Sequence, residues 1–167
     1  MDAAHIHLLI THVPIMATIF SLLILIWGLV RKEQKYQMLA MAGFIFAGIF
    51  SLVALNTGEG AEEAVENLAG VSRSFIHNHE EAAEVANWMA MILGVASIGG
   101  FILQKVKPAV MKTYTMLVLL IAIVSSGAFT YTGYLGGQVR HTEIRPQATT
   151  SMQAQPGEAE TSYGDND

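Results

Sequence analysis

"MLAMAGFIFAGIFSLVALN" (residues 38–56) runs for nineteen residues without a charged side chain. At about 1.5 Å per residue a helix of that length covers roughly 28 Å, close to the ~30 Å hydrocarbon core of a bilayer. Three further apolar stretches of similar length lie at about 8–30, 85–103 and 113–135. Backbone groups in lipid must be satisfied within the protein, which leaves helices or a closed barrel. None of the four stretches shows the every-other-residue polarity of barrel strands. The sequence therefore predicts an all-α integral membrane protein, an antiparallel four-helix bundle over 1–145. Composition agrees: 52% of residues are hydrophobic and 14% charged, against roughly 25% charged in soluble domains. The remainder, 146–167, is rich in Gln, Thr, Ser, Gly and acids, and is expected to be a disordered acidic tail.

The first stretch has no basic segment before it, is longer than a signal-peptide core and carries no small-residue cleavage pattern. It reads as a retained span. Arg31, Lys32, Lys35, Lys105, Lys107 and Lys112, six of the nine cations, fall in two short connections. Cytoplasmic loops hold the Lys/Arg excess, so both connections are expected inside. The N-terminus, the 57–84 loop and the C-terminus are then outside, in a bacterial inner membrane. Within the 57–84 loop the glycines of "TGEG" (57–60) are expected to end helix 2 near Asn56. A short interfacial helix over 61–68, a turn at Gly70–Ser72 and a helix from Ser74 into span 3 should follow. Span 4 begins near Thr113. Trp27 and Trp88 read as interface anchors.

With no cysteine in the chain, disulfides, thiolate ligands, iron–sulfur clusters and covalent c-type haem are excluded. No basic patch with interleaved aromatics points to nucleic acid. What stands out is a segregation of ionisable groups. All six histidines (5, 7, 12, 77, 79 and 141) fall at one membrane side, together with Glu59, Glu62, Glu63, Glu66, Glu80, Glu81, Glu84 and Glu143. A bundle brings those helix ends together.

Angular position orders the cluster. His77 and His79 lie about 200° apart on a helix. His79 heads the small-residue stripe Ala83, Ala86, Ala90, Gly94 and Ser97, so it should point inward and His77 toward water. His5 and His12 share a face, and His7 is turned away by about 140°. Only His12 lies clearly within the span, where an ionisable group is a functional hypothesis by default. Gly133 and Gly137 form a G-x-x-x-G pair on helix 4, with Gly136 adding to the small surface.

Two imidazoles facing each other across a bundle lined by Ala and Gly suit the axial ligation of a b-type haem, with His12 and His79 as the expected pair. His7 and His141 are alternates, propionate partners or members of a second site. Arg140 suits a haem propionate, because its planar fork pairs carboxylates at two points. A non-haem site for Cu, Zn or Fe is the first alternative, built from His7, His12, His79 and His141 with Glu59, Glu63 or Glu80. "HEEAAE" (79–84) is not the zinc-protease H-E-x-x-H, since residue 83 is Ala, and paired Glu-x-x-His motifs are absent. The second alternative is an accessory subunit whose polar mouth docks an extracytoplasmic partner.

These residues resemble a family of small bacterial four-helix membrane proteins of uncharacterised function. Its first helix has the form H-x-x-x-x-H-x-P, here "HLLITHVP". "TGEGAEE", "HEEAAE" and "GGQVRHTEIR" are similar to the further motifs of one subgroup, and the likeness covers about 1–146. The motifs fall on His7, His12, Glu59, Glu63, His79, Glu80, Arg140 and His141; His5 and His77 lie outside them. Related domains occur fused to or encoded beside Rieske and cytochrome modules, which implies a redox setting by association. The expected function is an electron-transfer subunit carrying haem b near the outer face. Its expected surroundings are the lipid bilayer, other membrane-complex subunits or an extracytoplasmic cytochrome.

Overall fold

Small residues decide how the spans pack. A computed structural model describes residues 2–145. It contains four long helices: α1 (Ala3–Val30), α2 (Gln34–Val65), α3 (Arg73–Val106) and α4 (Met111–Arg140). Single 3-10 turns at Pro108–Val110 and Thr142–Ile144 complete it, with no strand among the described residues. All four helices are long and apolar enough to cross a bilayer, as a multi-pass membrane protein requires. Each helix packs along the next in sequence, and α4 closes more loosely onto α1. Leu9, Phe20, Ile49, Val95 and Leu120 are exposed, as side chains in contact with lipid would be.

Between helices, lipid tails are as apolar as Leu, so association rests on close packing rather than on hydrophobic burial. At the α2–α3 crossing a methyl group on Gly48 would sit 3.1 Å from the Ala90 carbonyl oxygen and 3.5 Å from Gly94 Cα. One on Gly94 would lie 3.5 Å from the Phe44 carbonyl oxygen. The two backbones touch there. Toward the end where α1 finishes, the core holds large side chains, Leu25, Met41, Phe44, Leu93 and Val118, with Ala40, Met111 and Ala122. Toward the end where α1 begins it narrows to Ala86, Ala90 and Phe129. Polar groups enter there: the buried Ser51 hydroxyl donates to the Asn87 side-chain oxygen, joining α2 to α3.

The structure corrects several expected boundaries. Helix α2 does not stop near Asn56 but runs through Thr57–Gly60 to Val65, so 61–65 are its last turn rather than part of a separate helix. Each glycine costs roughly 1 kcal/mol relative to Ala in a helix interior, but these two face α1. A methyl on Gly58 would lie 3.8 Å from the His7 ring and one on Gly60 3.5 Å from Ala3 Cβ. The turn follows at 66–72, where Gly70 takes a φ of 82°, a left-handed conformation that suits glycine. Helix α3 starts at Arg73 and α4 at Met111, each slightly earlier than expected. Among the described residues neither Gly133 nor Gly137 closely faces another long helix. A methyl on Gly133 would have nothing within 4 Å, and one on Gly137 would meet only Ile144. The tail expected to be disordered, 146–167, lies outside the described residues.

Candidate functional site

The buried face of α1 is Pro14, Thr18, Ser21, Leu25 and Gly28. Stepping back by sevens from Gly28 through Ser21 and Pro14 arrives at His7, so His7 shares the inward register, and it is half-buried. Its Nδ1 lies 2.9 Å from the Thr57 hydroxyl of α2. That hydroxyl has one proton, which it donates to the Ala54 carbonyl 2.8 Å away. It can therefore only accept from the ring. His7 carries its proton on Nδ1, and the Nε2 lone pair is left over.

His79, half-buried on α3, reaches the same tautomer by another route. Its Nδ1 is 3.1 Å from the Thr132 carbonyl of α4, and a carbonyl only accepts. The ring rests against Gly136, where a methyl group would stand 3.0 Å from Cε1 and 3.2 Å from Nδ1. The Thr132 hydroxyl, on a residue only 7% exposed, has no hydrogen-bond partner among the described residues. Two half-buried imidazoles, from the starts of α1 and α3, are thus each anchored through Nδ1 to an acceptor on a neighbouring helix, with Nε2 unpartnered among the described residues. Metal-bound histidines are held in this way, with the second nitrogen donating to a carbonyl or other acceptor.

The expected pair of His12 with His79 is not brought together. His12 is exposed on the outer face of α1 and its Nδ1 bonds the Leu8 carbonyl of its own helix. The 140° between His7 and His12 allows only one of them to face inward, and the small-residue register selects His7. His79 points inward and His77 outward, as their spacing requires; His77 Nε2 pairs with Glu81 at 3.3 Å. His5 caps back on Asp2 at 2.7 Å. His141 pairs with Glu143 at 2.9 Å, both exposed. Arg140 is exposed and forms no ion pair among the described residues. Glu59 and Glu63 are exposed, while Glu62, one helical step away, is half-buried. Among the described residues no three His, Asp or Glu converge as a metal site.

Helices α2 and α3 project beyond their uncharged spans, and their projecting ends bring Glu62 and Glu80 together. Partial desolvation, then the hydrogen bond and charge of Glu62, push the Glu80 carboxyl above its usual value, with His77 opposing. At the rim, Asp2 is lowered by the His5 backbone N–H and ring. Glu143 is lowered by a backbone N–H and then by His141.

Sequence reasoning did not single out Thr57, Thr132 or Arg145. Arg145 Nε donates to the Gln138 carbonyl at 2.8 Å, and Nη2 to Gly70 at 2.9 Å and Val139 at 3.0 Å. Its guanidinium lies 4.4 Å from the Phe75 ring centroid. It fastens the end of α4 to the α2–α3 turn and to the start of α3, next to the seam that seats His79. The only signal for it was its place at the end of "GGQVRHTEIR".

No protein-family model, curated protein or solved structure matches this chain.

Proposed function

We propose that the protein is an electron-transfer subunit of a larger membrane complex, holding a b-type haem between His7 and His79 near the extracytoplasmic face. The observation that carries this is a pair of half-buried imidazoles on different helices, each anchored through Nδ1 with Nε2 unpartnered among the described residues. Ligand count supports haem over a bare ion. Structural zinc sites take four protein ligands and catalytic ones three, and no third His, Asp or Glu joins this pair among the described residues. A haem iron needs only axial ligands from the protein. Gly58 beside His7 leaves room that a side chain would take, and Gly136 forms the seat that the His79 ring fills.

In this reading His7 and His79 are the iron ligands, and Thr57 and the Thr132 carbonyl fix their tautomers. The buried Thr132 hydroxyl is an unused donor beside the site, and exposed Arg140 remains available to a propionate. The haem would supply a one-electron couple. The bundle is read as antiparallel. The cations of 31–35 and 105–112 support placing those connections in the cytoplasm of a bacterial cell, with both termini outside.

A reduced-minus-oxidised absorption spectrum of the purified protein tests this. A sharp b-type band should disappear in His7→Ala and His79→Ala and persist in His12→Ala and His141→Ala. A band that survives both of the first two substitutions overturns the ligand assignment. A colourless protein with stoichiometric metal by elemental analysis would establish a non-haem centre instead, and absence of both an accessory subunit. A reporter fused after Asp167 that proved cytoplasmic would reverse the sidedness.

A further inference from the structure

On the outer surface of the same α3–α4 seam lies an open groove of about 400 Å³, lined by Asn78, Glu81, Ala82, Val85, Tyr131 and Leu135. Its walls are continuous with the seat of His79. Asn78 precedes His79, Ala82 lies one turn on, and Tyr131 and Leu135 adjoin Thr132 and Gly136. An occupant would rest one helix wall away from the His7–His79 pair.

We propose that this groove binds a membrane quinone or hydroquinone. The lining grades from polar to apolar, with Asn78 and Glu81 on the projecting part of α3 and Val85, Tyr131 and Leu135 within the apolar stretches. The occupant is therefore an amphiphile that enters from the bilayer. No cation lines the groove, and the Glu81 carboxylate repels a phosphate headgroup, which sets phospholipid aside. The amide of Asn78 and the phenol of Tyr131 each donate and accept. They suit a head that presents carbonyls when oxidised and hydroxyls when reduced. Glu81 adds an acceptor for the hydroxyl form, and its pairing with exposed His77 at 3.3 Å connects that acceptor to water. The aromatic wall of Tyr131 matches a flat ring, and Val85 and Leu135 match an alkyl tail. This assignment rests on the electron-transfer reading, to which it adds the class of carrier.

The test uses the full chain in lipid nanodiscs. Trp27→Phe leaves Trp88, exposed on α3 one turn below Val85, as the only indole. Decylubiquinone, a contact quencher of indole fluorescence, is titrated into this protein. Saturable quenching is expected, weakened by about tenfold, or ~1.4 kcal/mol, when Ala82→Phe fills the groove, and weakened also by Asn78→Leu. Quenching that rises in proportion to quinone and is unchanged in Ala82→Phe overturns the proposal. So does quenching by brominated phosphatidylcholine that added quinone fails to relieve, which would assign the groove to lipid. A b-type band with non-saturable quenching sinks the groove alone. Saturable quenching without a b-type band sinks the haem and leaves the groove.

Discussion

His79 and Gly136 are fitted to each other: a methyl group on Gly136 would reach within 3.0 Å of the imidazole. The contact lets Nδ1 meet the Thr132 carbonyl, four residues earlier on α4. Two positions one turn apart on α4 thus hold one ring of α3. The glycine pair that drew notice in the sequence, Gly133 and Gly137, flanks this arrangement without taking part in it.

Alanine substitutions separate the two kinds of glycine. Replacing glycine by alanine in a helix interior is worth roughly 0.5–1 kcal/mol where nothing obstructs the methyl. Gly133→Ala meets nothing within 4 Å and should raise stability by about that amount. Gly136→Ala should lose that gain to the clash and turn His79 off the Thr132 carbonyl. Denaturant titration in mild detergent and the ¹⁵N resonances of the His79 ring report both effects. Equal stabilisation by the two substitutions would show that the ring does not lie on Gly136.

The tautomer of His7 should depend on one hydroxyl. Thr57→Ser keeps an oxygen that can donate to Ala54 and accept from Nδ1–H; Thr57→Val keeps the shape and removes the acceptor. In ¹⁵N spectra of the haem-free protein at neutral pH, His7 should show protonated Nδ1 and bare Nε2 with the native sequence and in Thr57→Ser. In Thr57→Val it should become a tautomer mixture, with a stability loss of about 1 kcal/mol for the missing hydrogen bond. An unchanged Nδ1–H tautomer in Thr57→Val would dismiss the hydroxyl as its cause.

Glu80 gives the projecting ends of α2 and α3 a pH dependence of definite sign. Its folded-state carboxyl is raised above the ordinary value of 4.5, chiefly by desolvation and by Glu62. The folded state therefore keeps a proton that the unfolded chain has released. The stabilisation from the pair is complete below pH 4.5 and is lost as pH rises through the raised value. Amide hydrogen exchange along 62–65 should accelerate across that window, and Glu80→Gln should abolish the change. Acceleration on acidification instead would mean that the carboxyls stay ionised and apart.

The four helices were legible because a membrane span needs only length and the absence of charge, and 38–56 supplies both. Which face of each helix turns inward was less so. On α1, lipid-facing and core-facing positions are both apolar, so hydrophobicity carries no angular signal. Only the small and polar residues at sevens, Pro14, Ser21 and Gly28, mark the inner face, and depth in the membrane drew attention to His12 instead of His7. On α3 the run of Ala, Gly and Ser after His79 was long enough to decide correctly. Gly58 and Gly60 misled because a glycine reads as a break unless its partner is known, and the partners, His7 and Ala3, are fifty or more residues away in the chain. The Thr57 and Thr132 contacts could not be read at all, since each depends on the packing of two helices.

The Gly48–Gly94 crossing should not tolerate a large side chain. The α2 and α3 backbones meet there with Gly48 opposite the Ala90 carbonyl and Gly94 opposite that of Phe44. These are backbone atoms, which a side chain's rotation cannot move aside. Gly94→Leu must therefore part the helices, weakening the buried Ser51–Asn87 bond and shifting His79 relative to His7. Overpacking of this kind costs roughly 1–3 kcal/mol, and each unpaired buried polar group adds about 1–3 kcal/mol more. Gly127→Ala, where a methyl would meet nothing within 4 Å, serves as the control and should be neutral or stabilising. Denaturant titrations of both variants, with the His79 ring resonances followed in each, decide the matter. A Gly94→Leu protein of native stability, with its His79 signals unmoved, would mean that α2 and α3 do not cross at these glycines.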